Sequence, residues 1–283
     1  MSIRSFIDPV ELRQEIANLK KAGGKIGFVP TMGALHQGHL SLLQQAKSEC
    51  DYVVASIFVN PKQFGPNEDF SSYPRMIKED LEKLEEQNVD AVFLPNARDM
   101  YPEGFQTYVD NEEMSQVLCG ANRPGHFRGV LTVVIKLLNL VNPDLAIFGK
   151  KDYQQLKVIQ AMARDLHLPM SIVGGEIVRE PDGLAMSSRN LRLSAEERQQ
   201  APRLYQALEG VRESFNTGNR EPKSLLRSFQ KQMEGTGFRL QYAEIRDQEH
   251  LVEFTAEIDK PAVLAVAAFL GSVRLIDNIE LGI

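Results

Sequence analysis

The chain has 283 residues, 43% of them hydrophobic and 25% charged, with 20 Gly and 14 Pro, a composition that excludes wholesale disorder and fibrous repeats. Its 32 Lys and Arg against 38 Asp and Glu give a net charge of −6, so no general positive field awaits a polyanion and nucleic acid is not expected as a partner. Cys50 and Cys119 have no His or Cys neighbours at ligand spacing, and no long uninterrupted apolar stretch occurs, so no disulfide framework, metal centre or membrane span is expected.

Asp8 as a cap, Pro9 at the first helical position and Glu11 as a reciprocal partner predict a helix that buries Leu12, Ile16 and Leu19 and ends at Gly23-Gly24. Residues 25–30 read as a short apolar strand, followed by a Gly-containing loop and a helix carrying Leu40, Leu42, Leu43 and Ala46. The pattern repeats with a buried strand over 52–59, a polar loop to Tyr73, a helix bearing Ile77, Leu81 and Leu84, and a strand over 91–94. The charges of 79–86 read as the solvated face of that helix. A third unit has an apolar helix over 127–141, a strand over 145–148 and a helix from Asp152 with Leu156, Ile159 and Met162. Gly174-Gly175 reads as a turn.

This alternation predicts an α/β fold with a Rossmann-like, doubly wound parallel sheet. Beyond it, Ser194 and Glu197 form a capping box that opens a helix with Leu204, Leu208, Val211 and Phe215, kinked at Pro202. Polar segments and two strand-like runs, 240–245 and 262–270, then follow without alternation. We expect two domains, residues 1–185 and a smaller α+β C-terminal domain over 186–283. The N-terminus has no apolar core of a signal peptide, so the expectation is a cytoplasmic protein.

Four segments carry chemistry. The first, Pro30-Thr-Met-Gly-Ala-Leu-His36-Gln-Gly38-His39, joins the first apolar strand to its helix and contains two of the five histidines. A helix N-terminus at the carboxyl end of a strand suits phosphate, and two imidazoles there can donate to its oxygens. The segment Asp182-Gly-Leu-Ala-Met186-Ser187-Ser188-Arg189-Asn190 offers hydroxyls and a guanidinium to a triphosphate, although alone it reads equally well as a Ser-rich linker. Ser56-Ile-Phe-Val-Asn60-Pro-Lys-Gln63 and Phe148-Gly149-Lys150-Lys151-Asp152-Tyr-Gln-Gln155 both follow predicted strands, so the segments converge on one edge of the sheet.

The His36-Gln-Gly38-His39 pattern resembles the signature of the HxGH nucleotidyltransferase superfamily, and residues 182–190 look like its second phosphate loop. With Arg123-Pro-Gly-His126-Phe-Arg-Gly129 and Arg274-Leu-Ile-Asp-Asn278, the set resembles the pantoate–β-alanine ligase family. The resemblance implies an ATP-dependent ligase that joins pantoate to β-alanine through an acyl adenylate, with Mg2+ present and AMP and pyrophosphate released, working as a homodimer. It assigns Met32, Gly33, Ala34, Leu35, His36, Gln37, Gly38 and His39 to ATP, with His39 as catalytic proton donor. It assigns Gly149, Lys150, Lys151 and Asp152 to the ribose and phosphates, Val178 to the adenine region, and Met186, Ser187, Ser188 and Arg189 to the phosphates. Gln63 and Gln155 fall to pantoate, with Asn60 beside them.

In one respect the chain departs from the family: Lys150 stands where an acidic residue is common, which leaves Lys151 as the matching catalytic lysine and the role of Lys150 open. His126 and Arg128 read equally well as structural or substrate-facing, whereas His167 and His250 lie outside the motifs. A carboxylate attacking the α-phosphorus of ATP needs no enzyme nucleophile, only positioning and stabilisation of the departing charge, and His36, His39, Lys151 and Arg189 supply donors for that. The alternative of nucleotidyl transfer to a phosphorylated acceptor calls for Arg or Lys where the amides Gln63 and Gln155 stand. A silent nucleotide- or RNA-binding module is disfavoured by the retained His, Lys and Arg groups and by the acidic net charge.

Overall fold

Residues 3–66, 68 and 70–282 are described by a computed structural model. In chain order the first part runs β1 (Arg4–Phe6), α1 (Pro9–Lys21), β2 (Ile26–Thr31), α2 (Gln37–Glu49), β3 (Tyr52–Ile57), α3 (Ile77–Glu86), β4 (Ala91–Phe93), α4 (Ala97–Met100), α5 (Leu118–Asn122), α6 (His126–Val141), β5 (Leu145–Gly149), α7 (Tyr153–Asp165) and β6 (Ser171–Gly175). The second part comprises α8 (Ala195–Gln200), α9 (Arg203–Asn216), α10 (Pro222–Met233), β7 (Phe238–Asp247), β8 (Ala262–Leu270) and β9 (Val273–Leu281). Short 3-10 turns at Pro61–Gln63, Lys150–Asp152 and Ser188–Arg192 lie between them.

β1 to β6 form one sheet in the order β1-β4-β3-β2-β5-β6, and every neighbouring pair is parallel. Successive strand residues point to opposite faces, which sorts the core into two layers. Ile26, Phe28 and Val54 pack with Leu12 and Ile16 of α1 and with the apolar faces of α6 and α7. Val29, Val53 and Ala55 pack on the other face against Leu43 and Ala46 of α2 and Leu84 of α3. Strand order reverses at β2, which has β3 on one side and β5 on the other. A crevice opens outside the carboxyl ends of β2 and β5, and that is where open α/β sheets bind their ligands.

The smaller sheet is antiparallel, β7-β8-β9. Alternate residues of β8 serve two cores: Val263 and Ala265 join the main one, while Leu264 and Val266 pack with Leu208 of α9 and Phe229 of α10. The small sheet is thereby clamped between the parallel-sheet unit and its own helices.

Several sequence expectations change. β1, β6, β9 and α10 were not anticipated, and Gly174-Gly175 ends the strand β6 instead of making a turn. Pro202 separates α8 from α9 where a kink was expected, because it has no N–H to continue the helical ladder. At the start of α1, Asp8 caps by accepting from Val10 N at 2.7 Å, without the predicted reciprocal bond from Glu11.

Candidate active site

The loop that leaves β2 is held from both sides. Thr31 Oγ1 donates to Ser56 O at 2.8 Å and accepts from Gly33 N at 3.1 Å. Ala34 N and Leu35 N donate to the two oxygens of Asp80 in α3 at 2.8 and 2.7 Å, and Lys83 Nζ donates to Leu35 O at 2.6 Å. Asp80 is fully buried, so the charged run of 79–86 is not the purely solvated face expected from sequence.

α2 then begins with a paired cap. Gly38 N donates to His36 Nδ1 at 3.2 Å, His36 N donates to His39 Nδ1 at 3.3 Å, and the two ring centroids are 4.1 Å apart. Burial, followed by the charge of Lys151, lowers the His36 pKa to about 4. Burial, then His36 and Lys151, lowers that of His39 to about 3. Both rings are therefore neutral near pH 7, and because each Nδ1 accepts from backbone, each carries its proton on Nε2. Two Nε2–H donors thus stand at the N-terminus of α2.

Across the crevice, β5 runs into the Lys150–Asp152 turn. Asn278 of β9 donates through Nδ2 to Lys150 O at 2.9 Å and Lys151 O at 3.0 Å, fixing the backbone of that turn. Lys150 Nζ pairs with Glu176 at 2.6 Å and Glu280 at 2.9 Å, contacts that raise its pKa against the effect of burial. Its ammonium is tied to carboxylates after β6 and on β9. Lys151 takes the other direction, lining a cavity with Gln155, Ser187, Arg189 and Arg274. Burial holds its pKa below the ordinary lysine value; Asp152 opposes the shift and Arg189 adds to it.

Residues 178–190 fold back as an ordered hairpin and 3-10 turn. Met186 N donates to Val178 O at 3.0 Å and Arg179 bridges Ala185, which places Met186 beside Gly38 at the start of α2. Arg179 makes two bonds to the buried carboxylate of Asp277 at 2.7 and 2.9 Å. Arg198 grips both Glu180 and Asp182 from α8. Ser187 caps the turn that contains Ser188, accepting from Arg189 N at 3.3 Å.

A second cavity opens below the histidines, with Met32, His39, Gln63 and Gln155 on its polar side and Val130 and Val134 of α6 on its apolar side. Gln63 is buried and its Nε2 donates to Met32 Sδ at 3.2 Å. Asn60 does not line the cavity as a free amide: Nδ2 donates to Gln63 Oε1 at 3.0 Å and Gly129 O at 3.1 Å, while Oδ1 accepts from Tyr101 OH at 2.7 Å. Its bonds orient Gln63.

Arg123, His126, Asp152, Gln155 and Arg189 line both cavities, so the two are parts of one crevice. Arg123 donates to His126 Nε2 at 2.9 Å and makes two hydrogen bonds of 2.6 Å to Glu68, and His126 Nδ1 donates to Gln63 O at 2.8 Å. Burial and then Arg123 lower the His126 pKa to about 4, so it is a neutral link between Arg123 and Gln63. Arg128 stands apart, exposed over the ring of Tyr108 at 4.3 Å. Asp80, Lys83 and Tyr101 were missed by sequence reasoning, and nothing in the local pattern marks them.

The family model for pantoate-beta-alanine ligase matches residues 4–280. The pantothenate synthetase of Pseudomonas fluorescens is 51% identical over 275 residues, covering 96% of each chain. The crystal structure of pantothenate synthetase from Thermus thermophilus superposes with a TM-score of 0.94 at 44% identity, covering 99% of this chain and 100% of that one. A pantoate-beta-alanine ligase from Francisella tularensis, solved in complex with beta-gamma ATP and beta-alanine, gives a TM-score of 0.82 at 36% identity over 98% of this chain and 97% of that one.

Proposed function

The chain belongs to the pantoate–β-alanine ligase family, and from that membership we propose how its crevice performs the ligation. The carboxylate of pantoate attacks the α-phosphorus of ATP, forming pantoyl adenylate as pyrophosphate leaves. The amine of β-alanine then attacks the acyl carbon, forming the amide as AMP departs. The observation that carries this reading is the neutral Nε2–H donor His39, its ring centroid 4.1 Å from that of His36, in a crevice that also holds Lys151 and Arg189. Fixed donors of this kind stabilise the charge that develops on phosphoryl oxygens, and none of them needs to act as a nucleophile.

Residues 32–39, Gly149–Asp152, Val178 and Met186–Arg189 bind ATP in this reading, and the buried amide of Gln63 together with Gln155 takes the hydroxyls and carboxylate of pantoate. The apolar wall of α6 suits a branched carbon skeleton. Because His39 is neutral, its part is to donate a hydrogen bond through Nε2 and not to carry a spare proton. Among the described residues no group of three or more His, Cys, Asp or Glu side chains is placed to hold a metal ion. In this reading magnesium would accompany ATP and neutralise part of its phosphate charge.

The division at 185/186, a homodimer and a cytoplasmic setting complete the reading; no helix among the described residues is long and apolar enough to cross a membrane. The test is isotope exchange between pyrophosphate and ATP with pantoate as the sole added acid. Exchange is expected without β-alanine, and a strict requirement for β-alanine would rule out a free-standing adenylate.

A further inference from the structure

Asp80 has none of its surface exposed, yet the chemistry above gives it no part. It lines neither of the two joined cavities; it stands behind the loop that leaves β2. Its two carboxylate oxygens accept separately from consecutive amides, Ala34 N at 2.8 Å and Leu35 N at 2.7 Å. Between those bonds Ala34 sits at φ +51°, a left-handed conformation that a residue with a Cβ keeps only where its surroundings enforce it. Lys83, one turn further along α3, takes the carbonyl of the next peptide through its bond to Leu35 O at 2.6 Å. Leu35 is thus held at its N–H and its C=O by one face of one helix.

The next residue is His36, whose own N–H must be aimed at His39 Nδ1 for the paired cap to exist. We propose that Asp80, supported by Lys83, is a positioning residue for the adenylate-forming half-reaction: it fixes the 34–36 backbone so that both imidazoles present Nε2–H to the phosphates. The inference rests on the adenylating reading above. A carboxylate offers an acceptor oxygen to each of the two N–H groups; an Asn would turn an NH2 towards one of them. Asp80 touches no substrate and acts through the loop.

The experiment compares wild type with Asp80→Asn and Lys83→Met. Three readings are taken: long-range proton–nitrogen spectra of the imidazoles, pantoate-dependent ATP–pyrophosphate exchange, and attack of β-alanine on supplied pantoyl adenylate. In Asp80→Asn the His36 and His39 signals should lose the pure Nε2–H pattern and exchange should fall about 10²-fold, the scale of a misplaced or lost preorganised donor. The second half-reaction should change by no more than about twofold. Unchanged exchange, equal losses in both half-reactions, or a fall in exchange with unaltered imidazole signals overturns the proposal. Should Asp80→Asn not fold, Lys83→Met decides: a selective loss of about tenfold with the same spectral change supports it, and wild-type behaviour overturns it. A wild-type enzyme without exchange would count against the adenylating reading, while the imidazole signals would still report on Asp80.

Discussion

The backbone N–H of His36 donates to Nδ1 of His39 across 3.3 Å, and this one bond decides which nitrogen of the neutral ring carries the proton. The helix cap and the choice of ring tautomer are here the same interaction. The sequence spacing of three residues that lets a cap meet its partner also brings the two rings together at the helix end, their centroids 4.1 Å apart.

His39→Ala should lower adenylate formation by about 10²- to 10³-fold, the usual effect of removing one preorganised donor. Attack of β-alanine on supplied pantoyl adenylate should be nearly untouched, since no triphosphate is then present. The lost cap bond should cost only about 1 kcal/mol of stability. Stopped-flow measurement of each half-reaction, beside a thermal melt, separates these effects; equal slowing of both half-reactions would show that the ring is structural.

Acid should destabilise the fold in a definite window. His36, His39 and His126 titrate at about 4, 3 and 4 when folded, against 6.5 when unperturbed. Because the unfolded chain takes up these protons first, the stability contributed by the neutral rings is full well above pH 6.5 and is lost as pH falls towards 4 for His36 and His126 and towards 3 for His39. Near pH 5 the His126→Gln variant should show a slope of unfolding free energy against pH smaller than wild type by about one proton. Denaturant titrations at several pH values read this directly, and an unchanged slope would contradict a neutral, buried His126.

Gly129 lets α6 lie against the Pro61–Gln63 turn. A Cβ there would stand 2.1 Å from Lys62 O and 2.8 Å from Gln63 Cα. Gly129→Ala should therefore destabilise the protein by about 1–3 kcal/mol, as overpacking does. It should also raise the KM for pantoate more than that for ATP, because the displaced turn carries Gln63. Steady-state kinetics on each substrate tests this, and parallel changes in both KM values would speak against it.

The Arg179–Asp277 pair ties residues 178–186 to β9, with the Asp277 carboxyl 2% exposed. Asp277→Ala leaves a largely buried guanidinium without its carboxylate and should cost about 3 kcal/mol. Replacing both partners, as Arg179→Met with Asp277→Leu, should recover most of the loss. Hydrogen exchange should find the Met186 amide opening more readily in the single variant than in wild type; equal protection would show that the pair does not hold the hairpin.

Much of this was legible in the sequence, for reasons particular residues make clear. Alternation of apolar runs gave the parallel sheet, because strands such as β2 and β3 are buried on both faces and read as continuous hydrophobic stretches. Gly174-Gly175 misled because a glycine pair ordinarily signals a turn. In β6 the pair leaves room for packing: a Cβ on Gly174 would meet the end of the Leu156 side chain at 2.7 Å and one on Gly175 the end of the Leu42 side chain at 2.1 Å, helices pressing on both faces. β9 was hidden because Asp277 and Asn278 interrupt its apolar pattern, and they do so because they serve the hairpin and the Lys151 turn. In α10 the stripe Leu225, Phe229 and Met233 was present but surrounded by polar residues. The site motifs were visible as short local strings, whereas Asp80 looks like any other acid in a charged helix, since its partners lie more than forty residues away.

The bonds from Asn278 to the carbonyls of Lys150 and Lys151 also have a temporal consequence. During synthesis the parallel sheet and both histidines emerge long before β9 does, so a nascent chain can fold its histidine loop early while the lysine turn opposite still lacks its brace. The crevice is then completed by the strand made after every other part of it.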